Sequence, residues 1–93
     1  MHVISQKKLR EFWAVHPEAE QALRAWLKVV ENCDWENPHE VTATFNRTSF
    51  VGKYAVFRVH GNACRIVAHI HFNRKKIYLR HVVTRTEYDE MKL

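Results

Sequence analysis

The apolar positions along the chain change period near its middle, which predicts helices first and a sheet afterwards. His2-Val3-Ile4 is a short apolar start that reads as an edge strand. Ser5 then stands as the cap of a helix over about Gln6–Val15, with Leu9, Phe12 and Trp13 on one face. His16-Pro17 ends that helix, because the residue before a proline avoids helical dihedrals. Pro17 suits the first turn of a second helix, and Glu18 and Glu20 lie near its positive end. Ala19, Ala22, Leu23, Trp26, Leu27 and Val30 form its amphipathic stripe. The polar stretch Asn32–Pro38 closes it, His39–Phe45 admits a helical turn, and Asn46–Gly52 reads as loop.

From Tyr54 the period becomes two. Tyr54–Val59 is a compact apolar strand, and His60-Gly61-Asn62 is a turn signal. Over Ala63–Phe72, Cys64, Ile66, Ala68, Ile70 and Phe72 share one face, with Arg65, Val67, His69 and His71 on the other. Asn73–Lys76 is a polar turn. In the next strand, Ile77–Val83, Ile77, Leu79 and Val83 alternate with Tyr78, Arg80 and Val82. With Arg74-Lys75 as the tip, Ile70 faces Leu79 and Ile66 faces Val83 on the core side. On the other side His71 faces Tyr78, His69 faces Arg80 and Arg65 faces Thr84. Thr84 and Glu87 then form a capping box for a short last helix. The resulting class is α+β: two N-terminal helices on one face of a small, mostly antiparallel sheet, with a short C-terminal helix.

The 93 residues suit a single domain, 1–93, and 46% hydrophobic content excludes a disordered chain. There is no apolar run of membrane-spanning length and no signal-peptide pattern in the first ten residues. Cys33 and Cys64, outside any CxxC motif, fit two ordinary buried thiols in a reducing cytoplasm. Net charge is +5 and uneven: residues 1–45 carry five Lys/Arg against seven Asp/Glu, residues 46–93 ten against three. Such a basic half fits a nucleic-acid footprint, a solvated surface or an acidic protein partner.

Chemistry concentrates on the face turned from the expected core. It carries Arg65, His69, His71, Tyr78 and Arg80, with Arg85 and Tyr88 at its end and Lys53 just before the first sheet strand. Arginines grip phosphates and aromatic rings stack on bases. The same groups suit metal-free RNA cleavage, in which a ribose 2′-hydroxyl attacks the adjacent phosphorus. Trp13, Trp26 and Trp35 read as core or interface anchors rather than base stackers. His69 and His71, with His81 or His60, also raise a zinc site. Against it, His81 falls on the opposite face in this register, and no carboxylates cluster nearby; no cofactor is expected.

The stretches YAVFRV, HGNACRIVAHIHF and KIYLRHVVTRTEYD, with the G-N-x-x-R turn and the closing T-x-x-E-Y-D, resemble the HigB toxin family, a RelE-like group. The opening HVISQKKLREFWAVHP is similar to the family's first strand, helix and proline break. The resemblance implies a toxin that cleaves mRNA, often on the ribosome, and so inhibits translation. It also implies a HigA-like helix-turn-helix antitoxin, and operator DNA bound by the complex. It carries over Arg65, Arg80 and Tyr88, and more weakly Lys53. The family often has histidine after the position of Thr84; here Arg85 stands there, so the general acid stays open. On this reading Arg65 and Arg85 hold the scissile phosphate, Arg80 tracks the backbone, and Tyr88 or His69 acts on the 2′-hydroxyl, with Lys53, His71 and Tyr78 touching RNA. Tyrosine's reference pKa of ~10 requires neighbouring cations for a base role. The rival readings are a module that blocks translation without cutting, a metal-dependent enzyme, and a protein-only interaction domain.

Overall fold

In a computed structural model, which describes residues 1–93, a short first strand and the helices precede the main run of sheet strands, as the change of apolar period predicts. Strand β1 spans His2–Ile4, helix α1 Lys7–Val15, and a 3-10 turn Pro17–Ala19 leads into α2, Glu20–Glu31. Helix α3 spans Pro38–Thr44. Strands β2 (Thr48–Val51), β3 (Tyr54–Val59), β4 (Cys64–His71) and β5 (Lys76–Thr84) follow, and α4 (Arg85–Glu90) closes the series.

The five strands form one sheet in the order β1-β5-β4-β3-β2. Only β1, beside β5, is parallel; every other pairing is antiparallel. The core lies on one face, where Leu9, Phe12, Leu23, Trp26 and Val30 of the helices meet Phe57, Ile66, Ala68, Ile77 and Leu79 of the strands. The α+β class and its two N-terminal helices are as the sequence predicts. Trp26 and Trp35 are core residues, Trp26 edge-on to Phe57 at 5.2 Å and Trp35 donating its indole N–H to Thr44 Oγ1 at 3.0 Å. Trp13 is only partly buried, beneath the Arg24 guanidinium at 4.6 Å.

Several local expectations are corrected. Ser5 does not cap α1: its own φ is +72°, Gln6 takes the capping position, and no side chain caps the end. The expected loop Asn46–Gly52 contains β2, which pairs with β3 from Thr48↔Phe57 to Val51↔Tyr54. Its run Thr-Ser-Phe-Val is short and half polar, as edge strands often are, and gives no clear alternation. Asn37 caps α3 through its side chain, with Pro38 at the first turn, which turns the ambiguous 39–45 stretch into a helix. Cys64 is buried as expected, but Cys33 is only half-buried.

The β4–β5 register differs from the expected one. Pairing begins at His71↔Lys76, so Ile70 faces Ile77 and His69 faces Tyr78. The turn is Phe72–Lys75, closed by the Lys75 N–H on the Phe72 carbonyl at 3.3 Å, with Lys75 at φ +55°. That unusual dihedral is held from outside the hairpin. The Lys75 ammonium meets Glu36 at 2.8 Å, Asp34 at 3.3 Å and the Trp35 carbonyl at 3.0 Å, all in the segment after α2. A second cause lies in the middle of β5. Val67 pairs with His81 and Ala68 with Leu79, so Arg80 is an extra, bulged residue. The bulge reverses the alternation beyond it: Val82, not Val83, packs on the core, and Val83 stands opposite Arg65. It also moves His81 opposite Val67 rather than to the core side.

Candidate functional site

The face of the sheet turned from the main core carries the charged residues. It begins with Arg58 on β3 and Arg65 on β4, which are direct cross-strand neighbours. Like charges in that position repel, and only Arg65 is held by hydrogen bonds, while Arg58 is exposed and has no side-chain partner. Arg65 is tied inward. Its Nη1 donates to the carbonyls of Asn62 at 3.0 Å and Cys64 at 3.2 Å, and its Nη2 to Asn62 Oδ1 at 2.9 Å. Asn62 belongs to the β3–β4 turn, whose His60 and Gly61 both have positive φ, so the turn's backbone shape places the Arg65 partners. Arg65 is 5% exposed, the one charged residue buried in the chain. Burial, then Arg58 and Arg85, pushes its guanidinium below the usual arginine range, though it stays cationic.

Helix α4 delivers the remaining groups. Thr84 caps it in a full capping box: the Glu87 N–H donates to Thr84 Oγ1 at 3.1 Å and the Thr84 N–H to Glu87 Oε1 at 2.9 Å. Those hydrogen bonds hold the Glu87 carboxyl below its ordinary pKa. The Arg85 N–H donates to the Ala63 carbonyl at 2.9 Å, pinning the helix start to β4. One turn on, the Tyr88 ring lies 5.9 Å from the Arg65 guanidinium carbon. Arg85 and Asp89 form an exposed ion pair at 4.0 Å, loose enough to open for another anion. These elements enclose a cleft of about 290 Å³ whose polar lining includes Arg58, Asn62, Arg65, Arg85, Tyr88 and Asp89. Three guanidinium groups thus face one carboxylate and one phenol around a space that suits a phosphate and its ribose.

A second cluster lies farther along the same face. Rings follow one another across β3, β4 and β5: Tyr54 to His69 at 6.4 Å, His69 to His71 at 4.4 Å, and His71 to Tyr78 at 4.9 Å. Lys53 sits 5.5 Å over the Tyr54 ring and Arg80 5.8 Å over that of Tyr78. Burial lowers the His69 pKa, with His71, Lys53 and Arg80 adding to the effect, so a neutral imidazole is favoured there. His69 is four strand residues from Arg65, roughly 13 Å.

The structure therefore divides the eight sequence-selected residues. Arg65, Arg85 and Tyr88 line the cleft; Lys53, His69, His71, Tyr78 and Arg80 form the aromatic and cationic patch. Sequence reasoning missed Arg58, Asn62 and Asp89. Arg58 was available from the β3–β4 turn: alternation from Tyr54 puts Val56 and Arg58 on one face, and closing the turn at Val59↔Cys64 sets Arg58 against Arg65. Between the clusters Val56 and Val67 are buried on this same face, apart from the main core, so the surface is less open than the pattern suggests. No group of three His, Cys, Asp or Glu side chains comes together that could hold a metal ion. No helix is long and apolar enough to cross a membrane.

Residues 19–91 match the family model of the HigB toxin, described as the RelE-like toxic component of a toxin–antitoxin system. The chain is 33% identical to the mRNA interferase toxin HigB of Escherichia coli over 92 residues, covering 96% of this chain and 88% of that protein. The same identity and coverage hold for the mRNA interferase HigB of Shigella flexneri. A second Escherichia coli mRNA interferase HigB is 29% identical over 94 residues, covering 98% of this chain and 91% of that one.

Proposed function

The chain belongs to the HigB family of RelE-like toxins, and on that footing we propose that it cleaves mRNA in the arginine cleft between β3, β4 and α4. Its activity is that of an endoribonuclease, the toxin of a toxin–antitoxin pair, as the names of its relatives state of themselves. The observation that carries the site is the convergence of Arg58, Arg65 and Arg85 with Tyr88 around one cleft. Two of those arginines are direct cross-strand neighbours, an arrangement that costs stability unless an anion sits between them.

The scissile phosphate is placed between Arg58 and Arg65, whose remaining N–H groups take its non-bridging oxygens. Arg65 contributes little motion, since three hydrogen bonds fix it before substrate arrives. Tyr88 lies against that phosphate and orients or deprotonates the ribose 2′-hydroxyl. The 2′ oxygen gives up its proton and attacks phosphorus, the bond to the 5′ oxygen breaks, that oxygen takes a proton from solvent water, and a 2′,3′-cyclic phosphate and a 5′-hydroxyl result. Arg85 stabilises the charge that gathers on the departing oxygen. Each such preorganised donor contributes on the order of 3–4 kcal/mol to transition-state binding. The chemistry asks for no metal, because the guanidinium groups supply the positive charge.

The ~13 Å between Arg65 and His69 is too long for one proton-transfer site. His69 is accordingly assigned with His71, Tyr78, Arg80 and Lys53 to the flanking nucleotides, whose bases stack on the rings and whose backbone Arg80 tracks. On this reading its partners are a HigA-like helix-turn-helix antitoxin, the ribosome that presents the mRNA, and operator DNA through the complex, all in the cytoplasm. The test is induction in a bacterial host with mapping of RNA 5′ ends. New mRNA ends with growth arrest are expected from the wild-type chain and not from an Arg85→Ala, Tyr88→Phe variant. Growth arrest without new ends would show blockage instead of cleavage and reject the proposal.

A further inference from the structure

Helix α2 leaves one face without a partner. Ala22, Ala25 and Val29 recur along it, and Val29 is 40% exposed. Two apolar hollows lie over this face, of about 390 and 520 Å³, and both are lined by Ala25 and Val29, so they form one groove. The groove runs from Ala22 to Cys33, roughly 17 Å, which is three turns of a helix. Its small side chains let another backbone approach closely.

Four further observations bear on what kind of partner fits. Trp26 lines the groove and is 3% exposed, yet its indole N–H is the only buried side-chain polar atom without a hydrogen-bond partner. An orphaned buried donor is costly, and an incoming acceptor would relieve it. The rim carries Arg58, His60 and Lys28, and no carboxylate lines either hollow. Arg58 also lines the catalytic cleft, so the groove and the cleft adjoin at that residue. The β2 pairing stops at Phe57, which leaves the outer edge of Arg58 and Val59 without a strand neighbour at the same point.

We propose that this groove is the docking surface for the antitoxin, which seats an amphipathic helix along α2. Its apolar side chains lie on Ala22, Ala25 and Val29, and acidic residues on its flank meet Lys28 and Arg58. An acidic side chain on Arg58 removes one of the two cations that would hold the scissile phosphate. Docking and inhibition are thereby the same event, without the antitoxin having to fill the cleft. This rests on the chain being the toxin of a pair, and on the cleft as the site of cleavage.

The surface can be tested apart from the cleavage reading. Ala25 and Val29 are exposed and lie outside the cleft, so Ala25→Glu and Val29→Glu should leave RNA cleavage intact. Each should weaken the complex with the antitoxin of its own pair by on the order of 30-fold or more, so that co-expressed antitoxin no longer rescues growth. Tight binding and full rescue with both variants would overturn the proposal. Hydrogen exchange on the wild-type complex supplies a measurement independent of any variant. Amides of 22–33 and 58–61 should slow when antitoxin is added. Protection elsewhere only, or protection of 22–33 in the free protein as its concentration rises, would reject the antitoxin as occupant, the latter in favour of a second copy.

Discussion

Arg65 is fastened to its turn while Arg85 has only a loose, exposed pairing with Asp89, and the difference decides what a substitution at each reports. Arg65→Ala strands the Asn62 partners and, on the proposed mechanism, also removes a phosphate ligand, so a loss of about 1–3 kcal/mol of stability should accompany the loss of cleavage. Arg85→Ala and Tyr88→Phe should slow cleavage by about 100-fold or more with melting temperatures close to wild type. Thermal melts beside cleavage assays separate the two patterns; equal destabilisation by all three would leave Arg85 and Tyr88 as structural residues. His69 makes a second prediction. Its pKa is lowered by folding, so between that value and the unfolded value near 6.5 the unfolded chain holds the extra proton. Stability should therefore rise with pH across that window and level off above it, and His69→Gln should flatten the rise in urea midpoints. These residues were largely legible in the sequence, because alternation assigns Arg65, His69 and His71 to one face without reference to any neighbour. Arg58 was legible in principle and overlooked, as the only charge in an otherwise apolar strand. The burial of Arg65 was not, since it depends on how the His60–Asn62 turn curls its carbonyls back.

Helix α4 is short, six residues, and a helix of that length does not stand alone. Its capping box and the Arg85 N–H bond to Ala63 hold it against β4, and both Arg85 and Tyr88 depend on its placement. Thr84→Ala should cost about 1 kcal/mol of stability and lower cleavage by more than that loss explains, with faster amide exchange confined to 85–90. Unchanged cleavage with a frayed helix would detach Tyr88 from the chemistry. The Glu87 side of the cap is present above the ordinary carboxylate range and fades as pH falls through its lowered pKa. This element was readable from T-x-x-E alone, because a capping box is local. The β4–β5 register was not. Its turn depends on Lys75 reaching Asp34 and Glu36, some forty residues earlier in the chain, and its bulge at Arg80 leaves no mark in an alternating pattern. The bulge leaves Arg80 exposed over the Tyr78 ring. Strand β2 escaped for the simpler reason that a four-residue edge strand is too short to show a period.

The molecule keeps its core on one side of the sheet and the arginine cleft and aromatic patch on the other, and the uneven charge of the sequence follows that division. Most of the surplus cations belong to β3, β4, β5 and α4 and the turns between them. Affinity for RNA should accordingly fall steeply with salt, and neutralising Arg58 or Arg85 should each reduce the slope of log affinity against log salt by about 0.7, the value for one phosphate of a single strand. A slope unchanged by either variant would place the RNA elsewhere. The basic half, the helix-then-sheet order and the G-N-x-x-R and T-x-x-E-Y-D motifs were enough to indicate the family from sequence. The division of the site into a cleft and a ring-lined patch needed the fold, because sequence spacing does not show that α4 turns back onto β4. The central claim is that the cleft cleaves RNA by attack of the 2′-hydroxyl, and the chemistry of the product ends tests it most directly. RNA taken shortly after induction is ligated with and without prior phosphorylation of its 5′ ends. New ends that are 5′-hydroxyl, matched by 2′,3′-cyclic phosphates and absent with Arg85→Ala, Tyr88→Phe, are the predicted result; new 5′-phosphate ends, or 5′-hydroxyl ends undiminished in that variant, would contradict it.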